Sequence, residues 1–154
     1  MEEVIKKLIK LNKTISTMES CTGGALVNAI TNVEGASSII KFSAVTYSNE
    51  YKIKLGVNKD IISKYSVYSI ETAKEMSKKI TDFTNSNYGI GITGKINRID
   101  PNNLVGLDNL IYVSIYDKDN SKYYTLTIKA INDTRNNNKN MIIKKISEFL
   151  LEII

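Results

Sequence analysis

Apolar positions recur along the chain at two spacings, and the switch between them sets an element order. Val4, Ile5, Leu8, Ile9 and Leu11 fall at helical intervals, and Asn12 is suited to close that helix. Residues 14–17 are short and β-branched and predict a strand. Ser20-Cys21-Thr22-Gly23-Gly24 reads as a turn into a short helix ending near Ile30. Residues 39–47 read as a second strand, rich in branched and aromatic side chains. Ser48 is placed to N-cap a helix that carries Lys52 and Leu55 and extends toward Val57. Ser69 is placed to cap another, in which Ile70, Ala73, Met76, Ile80 and Phe83 step by three or four. Residues 88–93 predict a strand ending in Thr-Gly. Residues 110–116 and 123–129 predict a hairpin about the turn-forming stretch 117–121. Ile142, Ile143, Ile146, Phe149, Leu150, Ile153 and Ile154 give a closing helix with a wide apolar face. Strands alternate with helices early and a hairpin comes late. The expected fold is α/β, a mostly parallel sheet with one antiparallel member and helices on both faces.

Composition narrows the chemistry. The chain has 154 residues, enough for one domain, 1–154, with its own core and no visible linker or repeat. It has no histidine, which removes Ser-His-Asp triads, Cys-His dyads and His-ligated metals. Its single cysteine, Cys21, excludes an intrachain disulfide and multi-cysteine metal sites. Acid–base work falls to Lys, Asp, Glu or Tyr. The net charge is +5, yet only Arg98 and Arg135 of the 21 basic residues are arginines. Nucleic-acid readers lean on arginine, so the surplus reads as a solvated lysine surface rather than a nucleic-acid interface. No apolar run approaches the ~18 residues of a membrane span, and the N-terminus lacks a signal-peptide core. A soluble, cytoplasmic protein without membrane contact is the expectation.

Two segments carry candidate chemistry. Glu19-Ser20-Cys21-Thr22-Gly23-Gly24 joins a strand to a helix, a place where backbone N–H groups at a helix N-terminus suit a phosphate or an oxyanion. Ser20 is placed as nucleophile or phosphate donor, although the same residues also make an ordinary cap and tight turn. Thr46-Tyr47-Ser48-Asn49-Glu50-Tyr51-Lys52 is the second. With Ser48 as N-cap, Tyr47 and Lys52 occupy the staple positions, and a lysine desolvated against a ring gains general-base character. Without histidine, Ser plus Lys is the available activated serine. Cys21 competes as nucleophile, against the commoner reading of small packing. Thr93-Gly94 ends a strand, where α/β sheets line their ligand crevices. Arg135, before the last helix, could clamp a phosphate or carboxylate.

These residues, with Gly35-Ala36-Ser37, Leu55-Gly56-Val57, Ser69, Ala73, Glu75-Met76 and Thr93-Gly94, resemble the C-terminal domain of the competence/damage-inducible protein CinA. The match is collinear from about Thr14 to the last helix. The resemblance implies a three-layer α/β/α sandwich with a mixed five-stranded sheet, related to anticodon-binding domains. It implies one domain, without the molybdopterin-binding-like domain that precedes it in longer relatives. Stand-alone members hydrolyse the carboxamide of nicotinamide mononucleotide to nicotinate mononucleotide and ammonia, without metal or cofactor, and commonly form dimers. A small-molecule nucleotide substrate and a homodimer are therefore expected. By the same resemblance Ser20 is the nucleophile, Lys52 its base and Tyr47 their support. Cys21, Thr22, Gly23, Gly24, Thr93, Gly94 and Arg135 line the substrate site, and Lys139 matches a second basic position. The chain departs from the family after Gly94. Lys95-Ile96-Asn97-Arg98-Ile99-Asp100-Pro101 stands where Ala-Gly-Pro and a glycine-rich loop are usual, and no glycine remains before Gly106. The alternative this loop raises is a relative that binds a nucleotide or a protein partner without turnover.

Overall fold

A computed structural model describes residues 1–154. Helix α1 (Glu2–Leu11) ends at Asn12, whose left-handed backbone (φ 51°) returns the cap N–H to Leu8 and Ile9. Strand β1 is Ile15–Glu19, helix α2 Ala25–Thr31, and a single 3-10 turn, Ala36–Ser38, precedes β2 (Ile40–Val45). Helices α3 (Asn49–Lys54), α4 (Lys59–Tyr65) and α5 (Ile70–Thr84) lead to β3 (Tyr88–Gly94). The hairpin β4 (Leu110–Asp117) and β5 (Lys122–Lys129) and helix α6 (Arg135–Ile153) complete the chain.

The strand order is β2-β1-β3-β4-β5. Strands β2, β1 and β3 run parallel, and β4 is antiparallel to both its neighbours. This is the mixed five-stranded α/β sheet expected. The main core gathers Val4, Ile5 and Leu8 of α1, Leu26 and Ile30 of α2, and Ile142, Ile146 and Leu150 of α6 over one face. A smaller cluster of Met18, Val57, Met76 and Ile80 seals the other. Period-2 alternation assigns the faces. Ile15, Ile90, Ile92 and Val113 face the main core, while Met18 joins the smaller cluster.

Gly89 and Gly91 let α5 lie directly on β3. A Cβ at Gly91 would stand 2.3 Å from the Ala73 carbonyl oxygen and 2.6 Å from the Ser77 nitrogen. Ala73, Ser77 and Thr81 keep that helix face thin, and Ser77 Oγ reaches Ser114 Oγ of β4 at 3.0 Å.

Several element boundaries differ from the sequence expectation. Strand β1 runs on to Glu19 because Met18 and Glu19 pair with both neighbouring strands, whereas Thr14 bonds to the Asn87 side chain instead. Strand β2 is shorter than 39–47, since Ile39 closes the 3-10 turn and Thr46-Tyr47 leave the sheet. Helix α3 stops at Lys54, and Val57 packs beyond it. Helix α4 was not anticipated; Asn58 caps it through the Asp60 N–H. Helix α6 starts at Arg135 rather than near Ile142, because Thr134 caps it by accepting from the Asn137 N–H. Its first turns are polar, so apolar spacing could not reveal them. Arg135 is therefore the first residue of that helix rather than a residue preceding it.

Candidate active site

Strand β1 lies between β2 and β3, so successive crossovers leave its carboxyl end on opposite sides. A crevice opens at such a reversal of strand order. Ser20 sits there, directly after β1. Its N–H donates to the Ile92 carbonyl at 3.0 Å, and the preceding Glu19 carbonyl accepts from the Thr46 N–H at 2.8 Å. The serine is thus held between the ends of both neighbouring strands.

Adjacent residues at a strand end point to opposite faces. Glu19 turns toward α2 and is fully buried. Its carboxylate accepts from Thr22 Oγ1 (2.7 Å) and from the N–H groups of Gly24, Leu26 and Val27 (3.1, 3.0 and 2.8 Å). The first turn of α2 therefore holds an anion of the chain itself. This redirects the expectation of an open anion site there. Thr22, Gly23 and Gly24 lie outside the cavity lining. The Gly23 N–H bonds to the Ser20 carbonyl, and the positive φ of Gly23 and Gly24 (63° and 93°) serves the turn. From Ser20 to Val27, only the N–H groups of Cys21 and Thr22 carry no protein acceptor.

Ser20 turns the other way, toward α3. Ser48 caps that helix by accepting from the Tyr51 N–H at 3.3 Å, as expected. Lys52, one turn in, is only 1% exposed. Its Nζ donates to the Thr46 carbonyl at 2.7 Å and to Ser20 Oγ at 3.1 Å. No carboxylate forms an ion pair with it. Burial lowers its pKa to about 8, and the opposing influence of Cys21 and Asp100 offsets that only in part. Roughly a tenth of the amine is then neutral at pH 7. Burial pushes the Cys21 thiol up to about 12, which keeps it protonated and argues against a thiolate nucleophile.

The staple between Tyr47 and Lys52 is not formed. Tyr47 is 64% exposed, and its hydroxyl accepts from Arg135 Nη2 at 3.0 Å. The amine is desolvated by burial at the strand ends rather than by that ring. Arg135 also donates to the Ile96 carbonyl at 3.4 Å, so the first residue of α6 is tied to the mouth of the site. Beneath α6's start, buried Asn138 donates to the Ile131, Asp133 and Thr134 carbonyls and accepts from the Ile131 N–H. Lys139 approaches Gly23 but does not line the cavity.

A cavity of about 550 Å³ opens over the Ser20–Lys52 pair, within the size range of small-molecule sites. Cys21, Tyr47, Gly94 and Arg135 line it, as do Tyr68 and residues 95, 96 and 98–103. Thr93 does not. Its hydroxyl is buried and donates to the Val67 carbonyl at 2.8 Å, on the α5 side of the sheet. Gly94 turns the chain here, and a Cβ would stand 2.4 Å from the Leu110 carbonyl oxygen. The residues that sequence reading passed over are Glu19, Tyr68, Lys95 and Asp100. Glu19 carried one signal, an acidic residue closing a strand before a glycine turn. Lys95 is 3% exposed and pairs with Asp108 at 2.9 Å. No group of three Asp, Glu or Cys side chains is assembled that could hold a metal ion.

The molecule is thus an α/β domain with a buried serine–lysine pair at a strand-end crevice. The CinA C-terminal domain model matches residues 1–154, and the chain belongs to that family. A competence-damage inducible protein of Clostridium novyi is 37% identical over 156 residues, covering 100% of this chain and 37% of that protein. One from Thermoanaerobacter sp. (strain X514) is 46% identical over 96 residues, covering 61% of this chain and 23% of that protein. The chain thus spans well under half the length of these relatives. Among solved structures, a CinA superfamily protein from Escherichia coli superposes with a TM-score of 0.90 at 22% identity, covering 99% of this chain and 87% of the other. The protein CihA from Agrobacterium tumefaciens gives 0.84 at 24% identity, covering 98% and 93%. These likenesses bear on the fold. No helix is long and apolar enough to cross a membrane.

Proposed function

We propose that the protein is an amidohydrolase acting on nicotinamide mononucleotide, yielding nicotinate mononucleotide and ammonia. The observation that carries the reading is Lys52 Nζ at 3.1 Å from Ser20 Oγ, buried and without a carboxylate partner. The substrate is the one that the family resemblance of the sequence implies. Neutral Lys52 keeps one N–H on the Thr46 carbonyl and presents its lone pair to the Ser20 hydroxyl. Ser20 attacks the carboxamide carbon, and its proton passes to the amine. The Cys21 N–H, free of another acceptor and at the cavity wall, is the donor for the tetrahedral oxyanion. The Lys52 ammonium returns the proton to the departing nitrogen, and ammonia leaves. Water then cleaves the acyl-serine with Lys52 again as base. Arg135, braced by Tyr47, meets the phosphate.

Ser20→Ala is expected to lower ammonia release from nicotinamide mononucleotide by about 10³-fold or more while leaving the melting temperature nearly unchanged. Equal rates in the two proteins would refute the assigned nucleophile. The altered loop at 95–101 favours one second reading, binding without turnover, and an inactive wild type that still binds the nucleotide would establish it.

The lowered pKa of Lys52 also sets a pH profile. The free base is the active form, so kcat/KM is expected to climb about tenfold per pH unit below pH 8 and to level off above it. A flat profile between pH 6 and 9 would remove Lys52 as the base.

A further inference from the structure

The cavity lining holds four basic side chains, Lys52, Lys95, Arg98 and Arg135, and a single carboxylate, Asp100. Lys95 spends its charge on Asp108, outside the lining. Asp100 has no cationic partner within ion-pair distance. It is nevertheless fixed in place. One oxygen accepts from the Tyr68 hydroxyl and from Asn103 Nδ2 (2.8 Å), and the other from the Asn102 N–H (2.9 Å), an Asx turn across Pro101. Asn103 is itself held by Asn49 Nδ2 at 3.2 Å, at the first residue of the helix that carries Lys52. All three donors to Asp100 are neutral, so they orient the carboxylate without cancelling its charge. These bonds also keep it ionised, holding its pKa below the usual carboxylate range.

A cavity built only for an anion gains nothing from a rigid carboxylate in the lining it shares with the reacting pair. The combination of one pinned negative group and unpaired Arg98 and Arg135 fits a ligand of two charges, positive near the scissile amide and negative further out. We propose that Asp100 is a specificity-determining residue that selects a cationic heteroaromatic ring next to the amide, a role that rests on the amidohydrolase reading above. Nicotinamide mononucleotide has that charge pattern, a pyridinium ring and a phosphate. Its dihydro form keeps the shape, ribose, amide and phosphate, but its ring is neutral.

The test is calorimetric binding of the oxidised and the dihydro nucleotide to Ser20→Ala, in which turnover does not interfere. The oxidised form is expected to bind roughly 10- to 30-fold tighter. Adding Asp100→Asn should bring the ratio near 1 chiefly by weakening the oxidised form, and Asp100→Glu should retain a preference. Equal affinities in Ser20→Ala, or a preference that survives Asp100→Asn, overturns the role while leaving the amidohydrolase in place. Failure of Ser20→Ala to bind either nucleotide overturns the amidohydrolase reading and this one with it. The ratio in Ser20→Ala does not touch Asp100, so a poorly folding Asp100→Asn would not shelter the proposal.

Discussion

Lys52→Met is expected to abolish ammonia release, by about 10³-fold or more, and at the same time to raise the melting temperature at neutral pH. The two effects have one origin. Burial at the strand ends moves the ammonium pKa from 10.5 to about 8, so at pH 7 the folded state carries a charge it disfavours by about 3 kcal/mol. The sign follows from proton counting. Between pH 8 and 10.5 the unfolded chain binds the proton and the folded one does not, so the wild type gains stability as pH rises through that window. Below pH 8 both states are charged and the penalty is complete. Methionine has similar length and no charge to bury. It forfeits the bond to the Thr46 carbonyl, an offset of about 1 kcal/mol. A net gain of about 2 kcal/mol at pH 7 corresponds to roughly 4–8 °C for a domain of this size. By about pH 10 the gain should vanish, because the wild-type amine is then neutral. Thermal melts at the two pH values, alongside the activity assay, check all three parts. A Lys52→Met protein less stable than wild type at pH 7 would show that the amine is better solvated than its burial indicates.

Gly91→Ala is expected to destabilise the protein strongly. The new Cβ would meet the Ala73 carbonyl at 2.3 Å and the Ser77 nitrogen at 2.6 Å. Both are backbone atoms of α5, so no side chain can swing aside. The helix must lift from β3, opening the contacts of Met76 and Ile80 with Met18. Overpacking of this kind costs about 3 kcal/mol or more. That is a fall of roughly 6–12 °C in melting temperature. The cause is space alone, since Gly91 does not have a left-handed backbone. A variant that melts within about 2 °C of wild type would mean that α5 does not lie this close.

Much of the architecture was legible in the pattern of residue types. The caps Asn12, Ser48 and Ser69 marked real helix ends, because their side chains or φ angles do local work that needs no tertiary context. The hairpin and the single antiparallel strand followed from turn chemistry. The start of α6 was hidden because Arg135 to Asn140 contains no apolar residue, and its anchor, Asn138, is a buried polar side chain that periodicity cannot flag. Within the site, Ser20 and Lys52 were legible by elimination and resemblance. Their neighbours were less so. The fate of the α2 N–H groups depended on where Glu19 pointed, which strand parity fixes only once β1 is known to reach it. Thr93 was drawn away by Val67, and Tyr47 by Arg135, through contacts between segments distant in sequence. Asp100 lay in a segment without periodicity, where only three-dimensional proximity gives a carboxylate meaning.

On the proposed amidohydrolase function, the order Glu-Ser at the end of β1 would make turnover a sensor of how the central strand is threaded. A shift by one position would exchange the two side chains. The carboxylate would then be shut in with the Lys52 ammonium as a mute salt pair, and α2 would lose its internal counter-charge. A misaligned molecule is therefore silent rather than sluggish. Specific activity per milligram should count correctly threaded copies, which makes turnover a sharper gauge of refolding yield than helix content.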